Sequence, residues 1–149
     1  MNAIRPGLYV GKFSETLDTT LLAAHEIGAM LQLAEAVNHP GIESLFLPVV
    51  DGVPLAHHHV RQGVDFVGEQ RRLGRNVLIA CGAGISRSTA FAVAVLKDDE
   101  GLSLLDALRA VKSRNPVTLI HPALWQSLCT FFGEEVPIRL ATDVMVSSG

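Results

Sequence analysis

Cysteine, aromatic residues, positive charge and long apolar runs are all scarce in this chain. Cys81 and Cys129 are the only thiols among 149 residues, which excludes a disulfide-dense secreted scaffold. Lysine and arginine number 12 against 15 aspartates and glutamates, a formal net charge of −3. A protein held on nucleic acid or anionic lipid by bulk charge carries the opposite balance, so neither partner is expected. The longest purely apolar run, residues 90–96, falls far short of the ~20 residues that span a bilayer. The N-terminus offers Arg5, then Pro6 and Gly7, with no apolar stretch to serve as a secretory signal. Internal repeats and low-complexity segments are also lacking. Hydrophobic residues, by contrast, make up 48% and charged residues 18%, enough to bury a core without disulfides or metals. The expectation is a soluble, single-domain, cytoplasmic protein.

Strand and helix signals alternate along the chain. Residues 7–11 (GLYVG) read as a short strand between glycines. Residues 17–27 place Leu17, Leu21, Ala24 and Ile27 on a helical period, with Gly28 as the stop. Residues 29–34 (AMLQLA) read as a strand, being short and preceded by that glycine. Residues 45–50 (LFLPVV) contain Pro48 and so form a strand end or an edge strand. Helical spacing returns over residues 55–73 and ends at Gly74. Val77-Leu78-Ile79-Ala80 is uncharged and suits a strand buried on both faces. Residues 87–99 predict a helix that is apolar almost all round, hence central and buried. Ser103 caps the next helix (104–112) with Asp106 in a capping-box-like position, and Asn115-Pro116 breaks it. Pro122 stands at the first position of a last helix that runs to Phe132. Residues 137–146 read as an extended tail packed on the body, and residues 147–149 as a frayed end. The order is β-α-β-β-α-β-α-α-α. This predicts an α/β domain with a central, mostly parallel sheet of about four to five strands flanked by helices. The main domain is assigned to residues 1–133 and a tail to residues 134–149.

Chemistry concentrates just after the buried strand, in Cys81-Gly82-Ala83-Gly84-Ile85-Ser86-Arg87-Ser88. A dinucleotide fingerprint fails there because Arg87 stands where its third glycine belongs. A Walker A loop fails for want of its Gly-Lys pair, and a nucleophile elbow fails because Ser88 replaces its second glycine. What fits is a cysteine ending a strand and an arginine opening a buried helix, with five residues between them. A loop of that length wraps its backbone N–H groups around one tetrahedral anion. The helix that follows adds its unsatisfied N-terminal N–H groups and the positive end of its dipole. Arg87 supplies a planar two-pronged donor for two phosphate oxygens. The same positive field favours the thiolate of Cys81, the nucleophilic form. A strand-end cysteine is otherwise a small buried hydrophobe; the arginine at this spacing argues against that.

Residues 77–88 resemble the phosphate-binding loop of the cysteine-dependent dual-specificity protein phosphatases, of the protein tyrosine phosphatase superfamily. Leu8-Tyr9-Val10-Gly11 is similar to that family's opening strand. Leu47-Pro48-Val49-Val50-Asp51 resembles the segment carrying its general acid, with Asp51 30 residues before Cys81. The resemblance covers residues 7–132. It departs at Ala80, where the family usually has a histidine that supports loop and thiolate, and at Ile120-His121, which replace the usual Pro-Asn pair. His121 is expected either to support the loop or to cap the helix.

The resemblance implies a phosphomonoester hydrolase that uses no metal and no cofactor. Cys81 is the implied nucleophile and Asp51 the implied general acid and then base. Gly82, Ala83, Gly84, Ile85, Ser86 and Arg87 are the implied phosphate-binding residues. Ser88 is the implied stabiliser of the departing thiolate. The implied substrate is a phosphorylated protein or peptide, carrying phosphotyrosine and also phosphoserine or phosphothreonine. A non-catalytic phosphate reader is the rival reading, as is a phosphatase for a nucleotide, RNA or phosphoinositide. The absence of lysine or arginine from positions 82–86 argues against inositol phospholipids. His57-His58-His59 reads as a solvated first helical turn rather than a metal site, since consecutive helical residues point in different directions. Cys129 and Trp125 read as core. Arg71, Arg72 and Arg75 read as the basic end of a helix.

Overall fold

The computed structural model describes residues 1–147, so the frayed end expected at residues 147–149 falls, for Ser148 and Gly149, outside the described residues. Five strands form one sheet: β1 (Asn2–Arg5), β2 (Leu8–Lys12), β3 (Ile27–Gln32), β4 (Glu43–Phe46) and β5 (Asn76–Cys81). Their spatial order is β1-β2-β5-β3-β4. Only the β1–β2 pair is antiparallel; β5 runs parallel to β2 and β3, and β3 runs parallel to β4. The sheet is therefore mostly parallel, as the uncharged run before Cys81 required.

The period of two along β5 decides what lies on each face. Val77, Ile79 and Cys81 enter the larger apolar cluster, with the long helices. Leu78 and Ala80 enter a smaller one with Leu22, Ile27 and Met30. The larger cluster is covered by α3 (His57–Arg72), α4 (Arg87–Glu100), α5 (Leu104–Arg114) and α6 (Pro122–Phe132). Every residue of α4 from Ser88 to Leu96 is buried, which is why its sequence has no polar face. Two short helices, α1 (Phe13–Thr16) and α2 (Thr19–Ala24), precede β3. Trp125 and Cys129 are core residues of α6, exposed by 1% and 3%.

Several boundaries differ from the sequence expectation. The helix expected over residues 17–27 shrinks to α2, capped by Asp18, whose carboxylate accepts from Leu21 N–H. Glu26 then turns the chain at φ 52°. Ile27 is consequently free to enter the core as the first residue of β3, and Gly28 lies inside that strand instead of ending a helix. Strand β1 was not expected at all: one core residue, Ile4, is its only apolar anchor in the sheet. The Pro6-Gly7 turn that folds it onto β2 was the available signal. The segment expected as an extended tail instead forms a helix, α7 (Ile138–Val146). Ala141 and Met145 of α7 join the larger core, and that burial is what makes so short a helix stable.

Candidate active site

In a parallel sheet, ligands bind beyond the carboxyl ends of the strands, where neighbouring connections diverge. Strand β5 lies between β2 and β3, and Cys81 is its last residue. Beyond β4 the chain continues beside β3: Leu47 N–H donates to Gln32 O and Val49 N–H to Leu33 O, both at 2.9 Å. This extension carries Asp51 to the same edge of the sheet. The structure gathers Asp51, Cys81, Ala83, Ile85, Ser86 and Arg87 around one cleft of about 460 Å³.

The loop is held by its carbonyls. Gly82 O accepts from Phe13 N–H at 3.3 Å and Ile85 O from Leu119 N–H at 3.0 Å. Gly84 O accepts from Asn115 Nδ2 at 3.1 Å. Thr89 Oγ1 donates to the carbonyls of Ile85 and Ser86, at 2.6 and 2.9 Å. Among the described residues, the N–H groups of Ala83, Ile85 and Ser86 have no protein acceptor. A loop with engaged carbonyls and unengaged amides suits an anion. Gly84 makes the turn possible. Its φ is +71°, and a Cβ there would lie 3.1 Å from the backbone carbon and oxygen of Gly11.

Cys81 sits on the floor of the cleft and is 2% exposed. Its thiol donates to Ser88 Oγ at 3.3 Å and accepts Gly84 N–H at 3.3 Å. Once the sulfur is ionised it is an acceptor only, and the Ser88 hydroxyl can turn to donate to it. Arg87 Nη1 donates to Val49 O at 2.9 Å, and a Cβ on Gly82 would lie 2.8 Å from Arg87 Nη2. The guanidinium therefore spans from the loop to the segment that carries Asp51. Asp51 is exposed at the lip and accepts from Ser86 Oγ at 2.8 Å.

Ala80 points to the opposite face from Cys81, against Met30 and Leu78. Its register partner, Gln32, is already committed to both backbone groups of Val37, at 2.8 and 2.6 Å. His121 caps α6, its Nδ1 accepting from Ala123 N–H, while its own N–H donates to Ser86 Oγ at 3.0 Å. Both roles expected of it are thus filled, one by the ring and one by the backbone.

Asn115 was read in the sequence only as a helix breaker. It is 3% exposed and directly supports the loop. Its signal was no more than an asparagine before a proline, since its partner lies 31 residues away. Thr142 and Met145 of α7 line the cleft and were likewise missed. The three consecutive histidines open α3, where the His57 ring meets Phe131 edge-on at 5.5 Å. Arg71 and Arg72 pair with Asp99 and Glu69, and Arg75 donates to Gln70. Burial pushes the Cys129 thiol above its ordinary value. Among the described residues, no helix is long and apolar enough to cross a membrane.

Comparison with known proteins agrees with this geometry. The family model for the dual specificity phosphatase catalytic domain matches residues 8–134. Dual specificity protein phosphatase 15 of Homo sapiens is 33% identical over 132 residues, covering 86% of this chain and 44% of that protein. Dual specificity protein phosphatase 1 of Arabidopsis thaliana is 30% identical over 118 residues, covering 76% of this chain and 60% of that protein. The chain thus spans about half the length of the curated relatives it matches. A crystal structure of DUSP15 superposes with a TM-score of 0.81 at 30% identity, covering 99% of this chain and 96% of that one. Human DUSP28 gives 0.80 at 26% identity, covering 88% and 94%. The chain belongs to the dual specificity phosphatase family.

Proposed function

We propose that this protein hydrolyses phosphate monoesters on proteins, acting on phosphotyrosine and also on phosphoserine and phosphothreonine, through a phosphocysteine intermediate. The observation that carries the reading is a cysteine sulfur at the floor of a loop whose Ala83, Ile85 and Ser86 amides have no protein acceptor among the described residues, with Arg87 lining the same cleft and a carboxyl group at the lip.

The Cys81 thiolate attacks phosphorus in line with the leaving oxygen. Arg87 and the loop N–H groups hold the three equatorial oxygens, a task of positioning and electrostatics. Asp51 delivers a proton to the leaving oxygen as the P–O bond breaks. Water then attacks the phosphocysteine with Asp51 as base, and Ser88 donates to the departing thiolate. The scheme uses protein groups alone. A nucleophilic free thiol suits a reducing compartment, which supports action in the cytoplasm.

The cleft supports the substrate class. Ile85, Leu119 and Met145 give it apolar walls, and Arg87 is its one lysine or arginine among the described residues. That favours a single phosphate on an aryl group over a polyphosphorylated headgroup.

The test is turnover of 4-nitrophenyl phosphate and of matched phosphotyrosine and phosphothreonine peptides from about pH 5 to 8. Activity that is abolished by Cys81→Ser, reduced by Asp51→Asn and bell-shaped in pH on the acidic side of neutral supports the reading. Phosphopeptide binding through Arg87 without turnover would make the protein a reader instead.

A further inference from the structure

Two hydrogen bonds meet on Ser86 Oγ. The hydroxyl lies 2.8 Å from Asp51 Oδ1 and 3.0 Å from His121 N. An amide N–H can only donate, so His121 takes a lone pair of Oγ. The hydroxyl keeps its proton and its second lone pair, and it donates the proton to Asp51 Oδ1 whenever that oxygen carries none. The geometry around the residue is unusual in a second way. Ser86 stands at the N-cap of α4, where a serine ordinarily accepts an N–H from the first helical turn, yet its side chain makes no cap bond. The hydroxyl is 8% exposed with its residue and is committed to the carboxyl group instead.

The segment bearing Asp51 has two further anchors on this side of the cleft. Arg87 Nη1 donates to Val49 O at 2.9 Å. A Cβ on Gly52 would lie 3.3 Å from His121 Nε2, so the turn after Asp51 rests against that ring. Ser86 is the one contact of the three that reaches the carboxyl group itself.

We propose that Ser86 is a positioning residue for the general acid, and that it selects which carboxyl oxygen carries the proton. This rests on the reading of Asp51 as the acid. In the proposed arrangement Ser86 donates to Oδ1 and the acidic proton resides on Oδ2. In the first step the Cys81 sulfur forms a bond to phosphorus and the bond from phosphorus to the leaving oxygen breaks. The Oδ2 proton passes to that oxygen, leaving a carboxylate whose Oδ1 still accepts from Ser86. The same contact serves the second step, in which Oδ2 receives the proton of the attacking water. Without the hydroxyl the carboxyl group can rotate, and either oxygen can carry the proton in either direction.

The test uses leaving groups of graded basicity, because a good leaving group has little need of an acid. The kcat/KM for phenyl phosphate and for 2,4-dinitrophenyl phosphate, which reports the step in which the leaving group departs, is measured in the original protein, Ser86→Ala, Ser86→Thr and Asp51→Asn. The ratio of the two values is internal to each variant, so a partly unfolded sample does not distort it. Asp51→Asn raises the ratio in favour of dinitrophenyl phosphate by about a hundredfold, the lower range of what a general acid contributes. Ser86→Ala raises it about tenfold in the same direction, Ser86→Thr restores it, and the double variant is no steeper than Asp51→Asn. Should Ser86→Ala not fold, Ser86→Gly removes the same hydroxyl. A steep response to Asp51→Asn with no change of ratio in Ser86→Ala would overturn the role of Ser86 and leave the acid standing. A flat response to Asp51→Asn would remove the acid assignment, and the proposal with it.

Discussion

Asn115 donates through Nδ2 to the carbonyl of Gly84 over 3.1 Å, tying the end of α5 to the middle of the phosphate loop. The same nitrogen donates to Thr118 Oγ1, and Oδ1 accepts from Asn2 Nδ2 at 2.7 Å. One buried amide thus joins strand β1, helix α5 and the loop. Asn115→Ala is expected to cost about 1–3 kcal/mol, the range for leaving buried partners unsatisfied, and to weaken inhibition by inorganic phosphate. Asn115→Asp is expected to be worse, since it sets a carboxylate oxygen against the Gly84 carbonyl. Denaturant melts and phosphate inhibition constants check both.

Gly84 and Gly74 offer a controlled comparison. Both have strongly positive φ, +71° and +80°, but only Gly84 has backbone within reach of an added Cβ. Gly74→Ala is expected to lose about 1 kcal/mol through backbone strain and to keep its turnover per folded molecule. Gly84→Ala is expected to lose at least as much stability and most of its turnover, because the loop must shift away from Gly11. Equal specific activities in the two folded variants would contradict the close packing described here.

Met145 carries helix α7 into the core. It is 3% exposed, and its sulfur accepts Ile120 N–H at 3.0 Å. Met145→Ala is expected to cost about 2–5 kcal/mol, as for other large-to-small changes in cores. Because Met145 also lines the cleft, the KM for aryl phosphates should change as well. Calorimetry and steady-state kinetics on the same samples read the two effects.

The pair Arg5–Glu100 gives a pH dependence of defined sign. It is bidentate, Nε to Oε2 at 2.9 Å and Nη2 to Oε1 at 3.0 Å. The hydrogen bond to Arg5 holds the Glu100 carboxyl below its ordinary value. A carboxyl group depressed by folding contributes stability that is present above its unfolded pKa, about 4.3. That contribution disappears as pH falls through the folded value. Both side chains are 31% exposed, so solvent limits the contribution to about 0.2–1 kcal/mol. Glu100→Gln is expected to be less stable than the original chain at pH 6, and the gap should close at pH 3. Urea midpoints at the two pH values check this.

The sequence was most legible where its signals were local. The uncharged run of β5, the small residues of the loop and the apolar middle of α4 (residues 90–96) are contiguous, so their pattern showed strand, turn and buried helix together. The pairing of Cys81 with Arg87 followed from spacing, and the roles of Ser86 and Ser88 from resemblance. Asp51 was legible only through resemblance, because its place depends on residues 47–49 pairing with β3. Strand β1 and helix α7 were missed for a common reason. Each is short, and each is stable only through burial of one or two residues, Ile4 in one case and Ala141 with Met145 in the other. Their periodicity was present, at Ile138, Ala141 and Met145 for α7, but nothing local distinguished it from chance. Asn115 was illegible in the same sense, since its role lies wholly in distant partners.

The anchoring of the loop also bears on how the protein fails. Its carbonyls are gripped by Phe13 from near one end of the chain and by Asn115 and Leu119 from near the other. No stretch shorter than residues 13–119 contains the whole cradle, and its assembly waits on loop closures that bring Phe13, Asn115 and Leu119 to the loop from both sides in sequence. A half-folded molecule in which either flank is undocked therefore lacks part of the cradle. Loss of phosphate binding on heating should coincide with the cooperative transition itself, which makes the ligand a sensitive reporter of the intact fold.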